Sequence, residues 1–167
     1  MPRCLKLAAA FALVAGITSA RADDKKPLDD ATFVKMAASG GMLEVELGKI
    51  AAAKAKNADV KKFGEHMVKD HSKANEELKA AAKAAGIEVP AKLTDKNQKT
   101  LDMFKDFKGD DFDRAYVKDM VKDHEEDVAM FTRASKELKN KDLKDFATKT
   151  LPTLKEHLEM IKKLDQK

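Results

Sequence analysis

The chain contains four histidines, and two of them stand in an identical five-residue repeat. The repeat reads MVKDH and ends at His71 and again at His124. A third histidine, His157, lies in a helical segment near the C-terminus. Neutral imidazole is a ligand for several transition metals, and it can also join a buried hydrogen-bond network. The histidines are therefore the first candidates for functional residues.

Each of these histidines fills one place in a stripe of apolar residues that recur at helical spacing. Glu44 lies at the edge of the corresponding stripe on the first predicted helix. Counted from the predicted helix starts, the four side chains lie roughly 21–26 Å along their helices. This is the middle of helices of about 27 residues. We therefore expect one carboxylate and three imidazoles to share a layer.

Long helices must position this layer, because helix-forming residues dominate and no segment is typical of a strand. The predicted long helices run from Asp29 or Asp30 to Lys56, from Asn57 to Gly86, from Asp110 to Lys139, and from Asn140 to the C-terminus. Residues 87–109 form a long connection, in which we expect a short helix from Thr94 to Phe107.

A second repeat indicates that the long helices form two similar hairpins. The segment KNADVKKF at residues 56–63 matches KNKDLKDF at residues 139–146. In both, an asparagine is placed to cap the helix that follows. Two helix hairpins joined by one long connection predict an all-α four-helix bundle.

The first 22 residues are typical of a secretory signal peptide. A basic start precedes an apolar run at residues 7–17, which is too short to span a membrane, and an A-x-A site ends at Ala22. Cleavage after Ala22 would remove Cys4, the only cysteine. We therefore expect a bundle domain at residues 23–167 in the periplasm or cell envelope, without disulfides or a transmembrane segment.

The charge pattern argues against nucleic-acid binding. The chain has 33 basic and 29 acidic residues, and the predicted signal peptide holds three of the basic residues and no acid. Elsewhere lysines alternate with acids, without a contiguous basic patch or an aromatic stacking surface. No nucleophile, phosphate-binding loop or Ser-His-Asp arrangement is recognisable, so we predict no catalytic residues and no turnover.

Four blocks of the sequence resemble an exported bacterial family catalogued as domain of unknown function 4142. The blocks are LEVELG at 43–48, MVKDHSKANEEL at 67–78, FDRAYVKDMVKDHEEDVAMF at 112–131 and LPTLKEHLEMI at 151–161. The resemblance implies a ferritin-like bundle and an envelope location. It implies no established activity.

We interpret the layer as a candidate site for one transition-metal ion, either zinc, copper or iron. The candidate ligands are Glu44, His71, His124 and His157. An acid precedes each histidine and is placed to orient an imidazole of a neighbouring helix. These acids are Asp70, Asp123 and Glu156. The expected role is metal handling or envelope stress protection.

The alternative is a structural or protein-interaction module without metal. Its core histidines would form a buried hydrogen-bond network, and its surface or the 87–109 connection would contact an envelope protein. Di-iron chemistry fits the sequence less well, because di-iron bundles place Glu three residues before a ligating histidine. The residues at those positions are Val68, Val121 and Leu154.

Overall fold

The computed structural model describes residues 27–166, so the predicted signal peptide, Cys4 and the cleavage site lie outside the described residues. Five helices and no strand occur in this part of the chain. They are α1 (Asp30–Lys54), α2 (Ala58–Ala84), α3 (Asp95–Asp106), α4 (Gly109–Glu137) and α5 (Lys141–Asp165). The predicted all-α bundle of four long helices, with a short helix in the connection, is confirmed.

Side-chain caps fix where most of the helices begin. The Asn57 and Asn140 side chains accept hydrogen bonds from backbone N–H groups in the first turns of α2 and α5, at 2.8 and 2.9 Å. At the end of α2, Gly86 takes a positive φ of 68°, as its predicted role in ending the helix requires. In contrast, α4 begins at Gly109 without a side-chain cap.

Each hairpin caps backbone N–H groups at the interhelix corner of the other hairpin. The Asp113 carboxylate on α4 accepts hydrogen bonds from the backbone N–H groups of residues 56–57, at the α1–α2 corner. The Asp30 carboxylate on α1 accepts from the N–H groups of residues 139–140, at the α4–α5 corner. Asp30 and Asp113 stand 83 residues apart, as do the two corners. The sequence repeat is therefore also a repeat of contacts.

Two glycines bring α1 and α2 into close contact. A Cβ atom on Gly48 would lie 2.7 Å from the carbonyl oxygen of Gly64, and a Cβ on Gly64 would lie 2.7 Å from that of Gly48. Neither position accepts a side chain without a backbone shift. The first hairpin thus holds Glu44 on α1 close to α2.

The buried core consists of two apolar clusters with a polar layer where they meet. The first cluster includes Leu47, Phe63, Met67, Tyr116, Met120 and Ile161. The second cluster includes Phe33, Leu78, Phe131, Phe146 and Leu154. On α2, α4 and α5, a histidine stands between the residues of one cluster and those of the other.

The order of the clusters along each helix gives the topology. Helices α1 and α5 run from the second cluster to the first, whereas α2 and α4 run the opposite way. The connection between α2 and α4 must therefore return along the bundle. Ile87 packs on the second cluster and Phe104 belongs to the first. One long crossover is compatible with the predicted ferritin-like arrangement. No described helix is both long and apolar enough to cross a membrane.

Candidate metal centre

His71, His124 and His157 meet where the two apolar clusters join. One nitrogen from each ring lies within 4.8 Å of a nitrogen of both other rings. The ring centroids are 5.3 to 5.8 Å apart. The three side chains are buried. The structure thus brings together the three histidines to which the sequence analysis assigned one layer.

Each imidazole has one nitrogen beside an oxygen atom. Nδ1 of His71 lies 2.8 Å from Oε2 of Glu44. Nδ1 of His124 lies 2.9 Å from the backbone carbonyl oxygen four residues earlier on α4. Nε2 of His157 lies 3.0 Å from Oδ2 of Asp70. An oxygen at this position favours the proton on the facing nitrogen and leaves the lone pair on the other.

The remaining nitrogen of each ring has no hydrogen-bond partner within the described part of the chain. These atoms are Nε2 of His71, Nε2 of His124 and Nδ1 of His157, and all three are buried. A buried polar atom without a partner costs roughly 1–3 kcal/mol. Three such nitrogens in one layer are the donor set that a transition-metal ion would satisfy.

Glu44 lies against two of the three rings and is fully buried. Its Oε1 is 3.5 Å from the free Nε2 of His124. Among the described residues, neither carboxylate oxygen makes a hydrogen bond of normal geometry, although Oε2 is close to His71. Glu44 is outside the three-histidine group itself. Its position suits a group that orients His71 and supplies a fourth ligand.

Burial sets the protonation of the centre. It lowers the pKa of His71 to about 4 and that of His124 to about 3. Burial, and next the charge of His71, also lowers the pKa of His157. The rings are therefore neutral at pH 7, the form that binds metal. Burial, followed by the charge of Asp123, raises the pKa of Glu44 well above its usual value.

The acids that precede the histidines take different positions. Asp70 contacts His157, and its side chain is 30% exposed. Asp123 has a buried Oδ2 without a hydrogen-bond partner among the described residues, and burial raises its pKa to about 6. Glu156 is exposed, and no hydrogen bond or ion pair joins it to a described histidine. The structure therefore brings Asp70 and Asp123 toward the layer and leaves Glu156 on the surface.

Asp127 belongs to the layer and was missed in the sequence analysis. It lines a cavity of about 20 Å³ together with Glu44, His71 and Asn75. Burial, followed by the charge of Glu44, raises its pKa well above the usual value. The 83-residue offset that relates the two corners also relates Glu44 to Asp127. That offset was the available signal, but the MVKDH repeat has a different spacing and relates α2 to α4.

Comparison with protein families decides the classification. The model of the domain of unknown function DUF4142 matches residues 15–164 of the chain. The chain belongs to the DUF4142 family. No curated protein matches this DUF4142 sequence significantly.

Solved structures share the fold of this DUF4142 protein. CopM in the Cu(II)-bound form has a TM-score of 0.70 and 17% identity, over 84% of this chain and 98% of that chain. CopM in the Cu(I)-bound form has a TM-score of 0.68 and 19% identity, over 82% and 95%. DUF305, a candidate secreted protein from Streptomyces coelicolor, has a TM-score of 0.65 and 12% identity, over 79% and 88%. At these identities the likeness shows a common fold.

Tyr116 of the DUF4142 chain lies one aromatic ring away from the layer. It is fully buried, and its hydroxyl has no hydrogen-bond partner within the described residues. The Phe63 ring is 6.2 Å from the Tyr116 ring and 6.0 Å from the His124 ring, centroid to centroid. The aromatic residues of the first cluster thus continue up to the histidines and keep this side of the centre apolar.

Proposed function

We propose that this DUF4142 protein is exported and holds one transition-metal ion in its histidine layer. The ligands are the free nitrogens of His71, His124 and His157, with Glu44 in the fourth position. Asp70 and Asp123 stand behind these ligands. The role is metal handling or envelope stress protection, without catalytic turnover. The mature domain comprises residues 23–167, after cleavage behind Ala22.

The observation that carries this proposal is the set of three buried, partnerless imidazole nitrogens. A hydrogen-bond network alone would leave them unsatisfied, whereas a metal ion would use all three lone pairs. The oxygen beside each second nitrogen is the arrangement in which ligating histidines are commonly held. Because the rings are already neutral at pH 7, the ion displaces no proton from them.

Copper is the ion that we propose first. Imidazole suits copper, and CopM, which shares the fold, has been solved in Cu(I)-, Cu(II)- and Ag-bound forms.

The experiment is elemental analysis of untagged mature protein purified from the periplasm without chelators. We expect close to one transition-metal ion per chain, with copper in excess over zinc and iron. The double variant His71→Ala/His124→Ala should contain none. His66→Ala is the matched control, because His66 is an exposed histidine on α2 outside the layer, and it should keep the full metal content.

A native protein that is purified empty and stays empty when challenged with copper, zinc and iron would sink the metal site. The layer would then be a buried network in a structural or protein-interaction module. Equal metal loss in His66→Ala and in the double variant would show that metal binds on the surface. Recovery of the protein in the cytoplasm with its first 22 residues intact would contradict export.

A further inference from the structure

Positions related by the 83-residue offset surround the centre in four pairs. The pairs are Gly41 with His124, Glu44 with Asp127, His71 with Leu154, and Ala74 with His157. In three pairs, a histidine in one hairpin corresponds to a small or apolar residue in the other. Only the pair Glu44 and Asp127 is acidic in both hairpins. The acidic residue of the layer is therefore repeated in both hairpins, whereas each histidine occurs in one hairpin only.

The cavity beside the histidines lies between these two acids. Its volume of about 20 Å³ is enough for one water molecule and therefore for a metal ion. Oxygen-bearing side chains in its wall are Glu44, Asp127, Asn75 and Thr150. A Cβ atom on Gly41 would lie 2.1 Å from Oδ1 of Asn75. Because Gly41 has no side chain, the amide oxygen of Asn75 can lie close to α1 at this position.

Glu44 contributes a buried carboxylate to the wall of this cavity. Its side chain is fully buried, and neither oxygen makes a hydrogen bond of normal geometry among the described residues, although Oε2 lies 2.8 Å from Nδ1 of His71. The charges that act on Asp127 are those of carboxylates: Glu44, Asp123 and Glu126.

We propose that this cavity is a second metal site, for a divalent cation that prefers oxygen ligands, of the class of Mn²⁺ and Fe²⁺. Its ligands are Asp127, Asn75 and Glu44, and Glu44 is shared with the ion bound by the histidines. The inference rests on the proposed function of the histidine site.

The test is a Mn²⁺ titration of mature protein that already holds one equivalent of Ag⁺, in chloride-free buffer. Ag⁺ is a redox-stable stand-in for Cu(I), and the electron paramagnetic resonance of free aqueous Mn²⁺ reports how much is bound. We expect one Mn²⁺ per silver-loaded chain. Asp127→Asn should weaken Mn²⁺ binding at least about tenfold while Ag⁺ stays bound.

Glu126→Gln is the matched control, since it removes the same charge from the adjacent, exposed residue of α4 and should leave Mn²⁺ binding unchanged. Asn75→Ala is a second variant that spares both acids, and it should also weaken Mn²⁺ binding about tenfold. Silver-loaded wild type that binds no Mn²⁺, or variants that bind it as tightly as wild type, would overturn the second site and leave the first intact. A chain that takes up neither silver nor copper would overturn both.

Discussion

Asp70 holds His157 through Nε2 and thereby leaves Nδ1 of that ring free for a metal ion. In Asp70→Asn the acceptor is weaker and neutral, so His157 becomes a poorer ligand. We expect copper affinity to fall about 10–100-fold, measured by competition with a chelator of known affinity. The control Glu156→Gln removes a charge next to His157 from the exposed surface and should not change affinity. Equal losses in both variants would point to a general charge effect.

His124 should make the metal-free protein sensitive to acid. Its folded pKa is about 3 and the ordinary value is 6.5. Between these values the unfolded chain binds a proton that the folded chain does not, so the free energy of unfolding falls as the pH falls. We expect wild type to lose stability relative to His124→Gln between pH 6.5 and pH 4.

Urea unfolding in the presence of chelator, repeated at each pH, gives this difference. Comparison with a variant is needed because Glu44 and Asp127, with pKa values raised by burial, act in the opposite direction in both proteins. A difference in unfolding free energy that stays constant over this pH range would show that His124 is not held neutral.

At the scale of the helices, the reciprocal corner caps should carry measurable stability. Asp30→Ala and Asp113→Ala each remove two hydrogen bonds to backbone N–H groups, so each should cost about 1–2 kcal/mol of unfolding free energy. Asp110→Ala is the control, because Asp110 forms an ion pair with Lys56 in which both side chains are exposed. It should cost less than about 0.5 kcal/mol. Denaturant unfolding compares the three, and similar costs would contradict the caps.

Two glycines of α1 should respond to alanine with opposite signs. Gly48→Ala places a Cβ atom 2.7 Å from a backbone carbonyl of α2, so the hairpin must open and the melting temperature should fall. Gly40→Ala meets its nearest atom at 4.0 Å. It should raise stability by about 0.5–1 kcal/mol, because alanine loses less backbone entropy in a helix than glycine does. A melting temperature that rises in both variants would exclude the close approach of α1 and α2.

For the whole molecule, a ligand that binds only the folded state raises the melting temperature. An ion at about 100 times its Kd adds about 2.7 kcal/mol, which for a domain of this size is about 5–10 °C. We expect this rise with copper in wild type and not in His71→Ala, as followed by circular dichroism. A rise of the same size in His71→Ala would place the ion outside the histidine layer.

The sequence predicted the helices and the positions of the histidines because apolar periodicity fixes which face of a helix is buried. His71, His124 and His157 each occupy a core position in that pattern, so their convergence followed from helix geometry. The sequence pattern did not single out Asp127, because only the 83-residue offset between the hairpins relates it to Glu44. Proline disfavours the interior of a helix, yet α5 runs through Pro152. Tertiary packing decides whether the helix continues through this proline, and local helix propensity does not predict it.

The position of Tyr116 makes tyrosine fluorescence a probe of the metal site. The chain has one tyrosine and no tryptophan, so near-ultraviolet emission from the folded protein comes from a single ring. The Phe63 ring lies next to both that ring and the imidazole of His124. Paramagnetic Cu(II) in the layer would quench this emission, whereas diamagnetic Cu(I) or Zn²⁺ would leave it. Cu(II) occupancy and its kinetics can therefore be read in real time without an added fluorophore.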